Sequence, residues 1–318
     1  MMRGLTRITP ALRGASAAEL PHARRRKPTE WGSLLILLSP TIVVLLGLVA
    51  YPLVRVFMTA VTDAQLVSLG TERFVGLDNF VELVKDPAVH KAAYITFIYS
   101  GASVLVSYVI GLGMAFLVER FRRRMKAVLR GFFLIPYVTS AVVIAILFRY
   151  MLDPQVGVIN YLLGAVGVSG GATSWLTDPT LALFAVIFAT VWQHAPFFML
   201  MIAAGLQGIP DDIHDAAAVD GATGWTKFAR ITFPLLLPIT AISITVMGIR
   251  LLNAFPIIWT MTEGGPVNAT TTTVVQVYSL AFKDFALGAS SALGAMWLII
   301  TMVIAVVYLN VSKRSAEV

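Results

Sequence analysis

The sequence predicts an all-α integral membrane protein with six membrane-spanning helices, and three observations carry that prediction. Of its 318 residues 58% are hydrophobic and 13% charged, with a mean hydropathy of +0.81, too apolar for a soluble globular domain. Six stretches reach the roughly 20 apolar residues that cross about 30 Å of hydrocarbon; they run at 33–54, 93–118, 131–151, 180–206, 235–261 and 288–310. Basic residues alternate between the intervening segments: they crowd 1–32 and 119–130 and recur in 207–234 and 311–318, while the other segments hold Arg55, Arg73, Lys85, Lys91 and Lys283. Basic loops stay on the cytoplasmic side, so both termini and the 207–234 segment are expected inside a multi-pass membrane protein.

The net charge of +7 and pI near 9.8 follow from basic residues beside the spans, as in Arg24-Arg25-Arg26-Lys27 and Arg122-Arg123-Arg124. Topology and contact with anionic lipid account for them without a nucleic-acid partner. No cysteine is present, which excludes disulfides, thiol catalysis and cysteine-ligated metals. No small-residue cleavage site closely follows the first apolar stretch, so it is expected to be a retained helix.

Taken in order, residues 1–30 mix Arg, Pro, Ala and Gly without apolar periodicity and are expected to form a disordered cytoplasmic tail ahead of a membrane domain at 31–318. The outer segment 56–92 carries FVGLDNFVEL at 74–83, a turn at Gly76–Asn79 followed by apolar positions that suit a short helix. The outer loop Asp153–Pro179 is rich in Gly, Ser and Thr, with Trp175 placed for the headgroup zone. Gly264-Gly265-Pro266 marks an outer turn, and Trp259 and Tyr278 are further interface anchors. Arg149 and Arg250 near span ends read as interface anchors or ion-pair partners rather than ligands. No strong internal repeat is evident.

The segment 207–234 is polar between two apolar ones. Ile209-Pro210-Asp211-Asp212 begins a helix, since proline suits the first turn and acids suit the positive dipole end. A helix from Asp211 to Val219 spans about 13 Å, with Ile213, Ala216, Ala217 and Asp220 along one side, and Gly221 supplies a left-handed cap. Thr223 is expected to cap a second short helix through Lys227 to Ile231, ended by Pro234. Small alanines admit a close partner, and Asp215 and Asp220 offer acceptors to its arginines. On these residues alone a docking element and an ordinary interfacial hairpin are equally open.

Residues 206–238 resemble the cytoplasmic EAA loop of binding-protein-dependent ABC import permeases, whose pattern is EAA, three residues, G, nine residues, then I-x-L-P. The matches are Asp215-Ala216-Ala217, Asp220-Gly221-Ala222, Ile231 and Phe233-Pro234, with Asp215 replacing glutamate and Phe233 replacing leucine. FVGLDNF at 74–80, LIPYVTSAVVIAILFRYMLDPQVGVIN at 134–160 and MTEGGPVNATTTTVVQVYSLAF at 261–282 resemble the carbohydrate branch, of the maltose and glycerol-phosphate permease type. The resemblance implies a type I importer permease fold with a cytoplasmic coupling helix, a second permease subunit, an ABC ATPase dimer and an external substrate-binding protein. It assigns ATPase coupling to Asp215, Ala216, Ala217, Asp220, Gly221, Ala222 and Gly224. No GxxxxGK[ST] phosphate loop is present, so ATP and Mg are expected on the partner ATPase, with no cofactor in this chain.

Polar residues inside spans are costly unless they pair or line a wet path. The third span holds Pro136-Tyr137 and Thr139-Ser140; the fourth holds Thr190, Trp192, Gln193, His194 and Phe197 beside Pro196; the fifth holds Asn253 and Phe255 beside Pro256. Three proline-interrupted helices with polar residues at mid-depth are expected to form a wet pathway, although serine and threonine also serve helix packing and His194 suits a hydrogen-bonded core position. Resemblance to the maltose permease type places Tyr137, Ser140, Thr190, Gln193, His194, Phe197 and Asn253 at the sugar. Few basic residues at mid-depth favour a neutral di- or oligosaccharide over glycerol phosphate or another polyol. No span carries an acid for ion coupling, and no metal spacing, nucleophile elbow or carboxylate dyad marks an enzyme. A binding-protein-dependent sugar importer subunit in a bacterial inner membrane is therefore expected, ahead of an ion-coupled secondary transporter.

Overall fold

In the computed structural model the described residues are 29–68, 70–167 and 173–316. Apart from Thr29 and Glu30, which begin α1, the expected tail and its Arg24–Lys27 run lie outside them. Two compact units divide at Val54 and Arg55. The helices are α1 (Thr29–Leu45), α2 (Tyr51–Ala60), α3 (Asp78–Lys85), α4 (Pro87–Glu119), α5 (Arg123–Val138), α6 (Ala141–Met151) and α7 (Val158–Ala165). They continue as α8 (Pro179–Gln207), α9 (Asp211–Val219), α10 (Gly224–Lys227), α11 (Phe233–Leu252), α12 (Pro256–Thr262), α13 (Thr273–Phe282) and α14 (Leu287–Ala316). Among the described residues five helical runs are each long and apolar enough to span a bilayer, Leu34–Ala60, α4, α8, Gly224–Leu252 and Leu287–Tyr308, and α5 with α6 as one bent span makes six.

The expected third span, 131–151, is not one helix. α5 and α6 meet at 90°. Pro136 gives α5 no N–H for the Phe132 carbonyl, and three residues later Thr139 and Ser140 turn extended, with ψ of 142° and 135°. The fifth span breaks likewise after Leu252, through Asn253–Phe255, and resumes at Pro256. Thr223 is extended but makes no side-chain cap, and Pro234 does not end the helix it was expected to end. Instead α10 runs through a π-helical turn, Phe228–Thr232, straight into α11. The wider turn absorbs the hydrogen bond that Pro234 cannot donate.

α8 is the most deeply buried span and α4 is its principal neighbour, with α5, α6, α11 and α12 also against it. Without a hydrophobic drive between helices in lipid, close packing needs small residues. On α4 Ser103, Ser107, Gly111 and Ala115 recur every four residues, all buried, and α8 answers with Ala182, Ala185, Ala189, Ala195 and Ala203. At Gly111 the approach is so close that a Cβ would fall 2.5 Å from the Phe198 Cβ and 2.6 Å from the Ala195 carbonyl oxygen. Three apolar clusters result: one around Tyr99, Phe148, Val186 and Ile258, one around Val118, Phe198, Ile202 and Met247, and one joining Ala60, Leu83, Val89 and Leu293.

Polar contacts fasten the loops. Asn79, in the FVGLDNF segment, donates to the Ala60 and Thr62 carbonyls at 2.8 and 2.9 Å, closing the end of α2. A hydrogen bond from the Arg73 backbone N–H, joined by its guanidinium, holds the Asp63 carboxyl below the usual carboxylate range. Trp175 is half-buried and donates to Asn160 at 2.8 Å, so it braces the 153–179 segment. Trp259 and Tyr278 stack with Phe255 and Phe282, with Lys283 Nζ 4.6 Å above the Trp259 ring.

Replacing Gly111 with valine is expected to destabilise the α4–α8 seam by about 1–3 kcal/mol through overpacking. Thermal unfolding of the purified protein in detergent checks this, and a melting curve matching the parent would contradict the close approach.

Candidate functional site

The two helix breaks and the Pro196 region of α8 come together where the Tyr99 and Phe198 clusters meet. A cavity of about 190 Å³ opens there, lined by Tyr99, Ala141, Gln193, His194, Arg250 and Asn253 among polar and small groups, with Leu251, Ala254, Pro256 and Ile257 as apolar walls. His194 lies fifteen residues after Pro179 and thirteen before Gln207, so the cavity sits about 20 Å from either end of α8 at 1.5 Å per residue.

Each predicted residue has a definite place. Gln193, 5% exposed, donates to the Thr139 carbonyl at 3.1 Å and so ties the α5–α6 bend to α8. His194 Nδ1 lies 2.8 Å from the Thr190 carbonyl oxygen. A carbonyl only accepts, so Nδ1 carries the proton and Nε2 of the neutral ring is left as an acceptor. Asn253 donates to the Ile249 carbonyl at 3.0 Å, satisfying the frayed end of α11 and leaving its amide oxygen exposed. Tyr137 packs edge-on to His194 at 6.3 Å and against Phe197 at 5.8 Å. Neither Tyr137 nor Phe197 lines the cavity; the pair stands beside it, with Tyr137 packed on His194. Ser140 is exposed at the bend beside Ala141. Thr190 is buried behind the cavity, its hydroxyl bonded to Tyr99 at 2.9 Å and to the Val186 carbonyl at 2.8 Å.

Two lining residues with polar or charged side chains, Tyr99 and Arg250, lay outside the predicted set. Tyr99 is held against the cavity by Thr190, a partner 91 positions away that no local pattern discloses. Arg250, expected as an interface anchor or ion-pair partner, lines the cavity and makes no ion pair among the described residues: its Nη1 donates to the Tyr137 hydroxyl at 3.4 Å, and its guanidinium carbon lies 5.8 Å from that ring's centre. A basic residue thus reaches the cavity at mid-depth, which removes the premise that favoured a neutral cargo.

The second candidate region is the 207–234 segment. α9 runs over the expected residues, with Asp211 and Asp212 in its first turn. Its end is a Schellman motif: Gly221, at φ +78°, donates to the Ala218 carbonyl at 3.1 Å, and Ala222 donates to the Ala217 carbonyl at 2.9 Å. Ala217 is buried, while Asp215, Ala216, Asp220, Gly221 and Gly224 are exposed and Ala222 is half-buried. Val219 and Trp225, 88% and 77% exposed, add a large apolar face that sequence reasoning missed. An exposed tryptophan beside acids and small residues suits a protein partner better than water.

Just behind this face, Glu119 at the end of α4 accepts from both Lys126 and Arg130 of α5. The Gln207 amide, with its oxygen turned to the guanidinium, accepts from Arg130 at 2.6 Å. The last residue of α8 is thereby joined to α4 and α5. Among the described residues no group of His, Asp and Glu is placed to hold a metal ion.

Residues 107–316 match the model of the binding-protein-dependent transport system inner membrane component family. The trehalose/maltose transport system permease protein MalF of Thermococcus litoralis is 32% identical over 290 residues, 90% of this chain and 95% of that one. The sulfoquinovosyl glycerol transport system permease protein SmoG of Agrobacterium fabrum is 30% identical over 278 residues, 87% and 89% of the two chains. A crystal structure of a bacterial ABC transporter that imports the acidic polysaccharide alginate matches with a TM-score of 0.77 at 23% identity, covering 90% of this chain and 96% of that one.

Replacing Gln193 with alanine leaves the Thr139 carbonyl without its donor, at about 1–3 kcal/mol. Amide exchange across 139–144 is expected to quicken while exchange across 182–190 stays slow. Unchanged exchange in both segments would show that Gln193 does not hold the bend.

Proposed function

Since the chain belongs to the family of binding-protein-dependent transport system inner membrane components, we propose that it is the sugar-translocating permease subunit of an ABC importer. It is a transport subunit, not an enzyme. The observation that carries the reading is the polar cavity where the α5–α6 bend, the Pro196 region of α8 and the α11–α12 break converge. Relatives named for trehalose, maltose, lactose and sulfoquinovosyl glycerol transport support a sugar as cargo. Sugar hydroxyls need donors and acceptors, which Gln193, His194 Nε2 and Asn253 offer, while Tyr137, braced by Phe197, stands beside the cavity and backs the His194 ring. Tyr99, positioned by Thr190, closes one wall, and Ser140 stands at the bend.

At about 190 Å³ the cavity is smaller than the roughly 300–1,000 Å³ of a complete ligand pocket. A second permease subunit would supply the missing wall. In this scheme an external substrate-binding protein delivers the sugar at the outer mouth, and both termini and α9 lie in the cytoplasm of a bacterial inner membrane.

The energy would enter at α9. Asp215, Ala216, Asp220, Gly221, Ala222 and Gly224, with Val219 and Trp225, form the face that docks on an ATPase subunit, where ATP and Mg are bound. Ala217 points inward and anchors that face. Through Gln207, Arg130 and Glu119 a shift of α9 moves the bases of α4, α5 and α8 as one body, and the continuous run from α10 into α11 carries it to Arg250 and Asn253. Nucleotide biases the two-state element from one end and the loaded binding protein from the other.

Gly221→Asp puts a side chain at φ +78°, where only glycine is unstrained. In the reconstituted transporter it is expected to lower binding-protein-stimulated ATP hydrolysis and uptake together by about tenfold or more. Normal coupled uptake in that variant, or ion-driven uptake by this subunit alone, would contradict the reading.

A further inference from the structure

We propose that Arg250 selects a cargo bearing an oxyanion, a carboxylate, sulfonate or phosphate on a sugar or polyol, an inference that rests on the cavity being the substrate path. Arg250 lines the cavity with Gln193, His194 and Asn253, midway along α8. Its hydrogen bond is to a neutral hydroxyl, that of Tyr137. The ion pairs among the described residues engage Arg73, Lys126, Arg130 and Lys283, so no carboxylate among them neutralises Arg250.

A guanidinium at mid-depth in a bilayer is tolerated where it meets water, a carbonyl or an anion. Among the described residues no Asp or Glu lines the same cavity, so an incoming anion meets attraction there without repulsion from them. The planar fork of arginine matches the paired oxygens of a carboxylate, sulfonate or phosphate. The Tyr137 hydroxyl and ring steady the guanidinium from one side and leave its remaining N–H groups for the cargo. The Gln193 and Asn253 amides are placed to read hydroxyls on the same molecule. A merely positive-inside or snorkelling arginine requires neither this depth nor a tyrosine beneath it.

The test is uptake by the complete transporter in proteoliposomes, with its own binding protein, of four labelled probes: a uronate-containing disaccharide, a sulfonated sugar, glycerol phosphate and a neutral disaccharide. The wild-type complex is expected to import at least one anionic probe in preference to the neutral one. Arg250→Gln is expected to lower the anionic-to-neutral uptake ratio by about tenfold or more, with Arg250→Lys recovering part of it. Which anionic probe responds identifies the oxyanion. Import of the neutral probe alone, or an equal ratio in the variant, overturns the selectivity and leaves the sugar reading standing. Failure of Arg250→Gln to assemble with the second permease, judged by gel filtration, overturns it too, because Arg250 would then pair with that subunit. Import of none of the four by an ATPase-competent complex overturns the sugar pathway itself.

Discussion

The close approach of α4 and α8 at Gly111 is the constraint on which the rest of this chain depends. Lipid offers no hydrogen bonds and no hydrophobic drive between helices, so the seam rests on van der Waals contact between small residues. Phe198 and the Ala195 carbonyl occupy the space that a side chain at 111 would take. Once the two backbones touch, Tyr99 of α4 reaches Thr190 of α8, and the face of α8 that carries Gln193 and His194 is fixed toward the bend between α5 and α6. The polar cavity is thus a consequence of an apolar fit.

Breaking a helix within a membrane exposes backbone groups, each worth several kcal/mol if left unpaired. This chain breaks two helices at the same place and compensates locally. Gln193 serves the Thr139 carbonyl, Asn253 the Ile249 carbonyl, and the Thr139 hydroxyl the Ile135 carbonyl at 2.7 Å. Two of the side chains that repair the breaks, Gln193 and Asn253, also line the cavity. The Gln193 and Asn253 amides thus do structural repair at the cavity wall, which gives polar residues a reason to persist there in a chain that is 58% hydrophobic. On the side of α9, a π-helical turn before Pro234 keeps α10 and α11 one continuous helical run that ends beside Arg250 and Asn253.

Features governed by near neighbours were legible in the sequence. The bounds of α9, its acidic first turn and its left-handed Gly221 all follow from residues within ten positions of one another. The short helix after Gly76 and the turn at Gly264 were legible for the same reason, since φ values of +65° and +88° select glycine. What the sequence hid depends on distant contacts or on compensation. The 90° bend needed the knowledge that α8 would carry Gln193 to Thr139, 54 positions away. Pro234 signalled a helix end because proline chemistry is local, whereas the π turn that rescues it is a property of the whole run. Arg250 near a span end looked like an anchor, because nothing local marks its place at the cavity or its contact with Tyr137, 113 positions away.

The central claim is that this cavity is the alternating path for cargo. Because the sequence has no cysteine, a single cysteine placed at Ala141 reports on the cavity alone. The measurement is its reaction rate with a membrane-impermeant thiol reagent, in oriented vesicles holding the complete transporter. The account predicts that the reagent reaches it from opposite sides of the membrane in the nucleotide-free and ATP-trapped states, and that transported substrate slows the reaction. A cysteine there that is unreactive in both states, or reacts from one side at a rate indifferent to nucleotide and substrate, would contradict it.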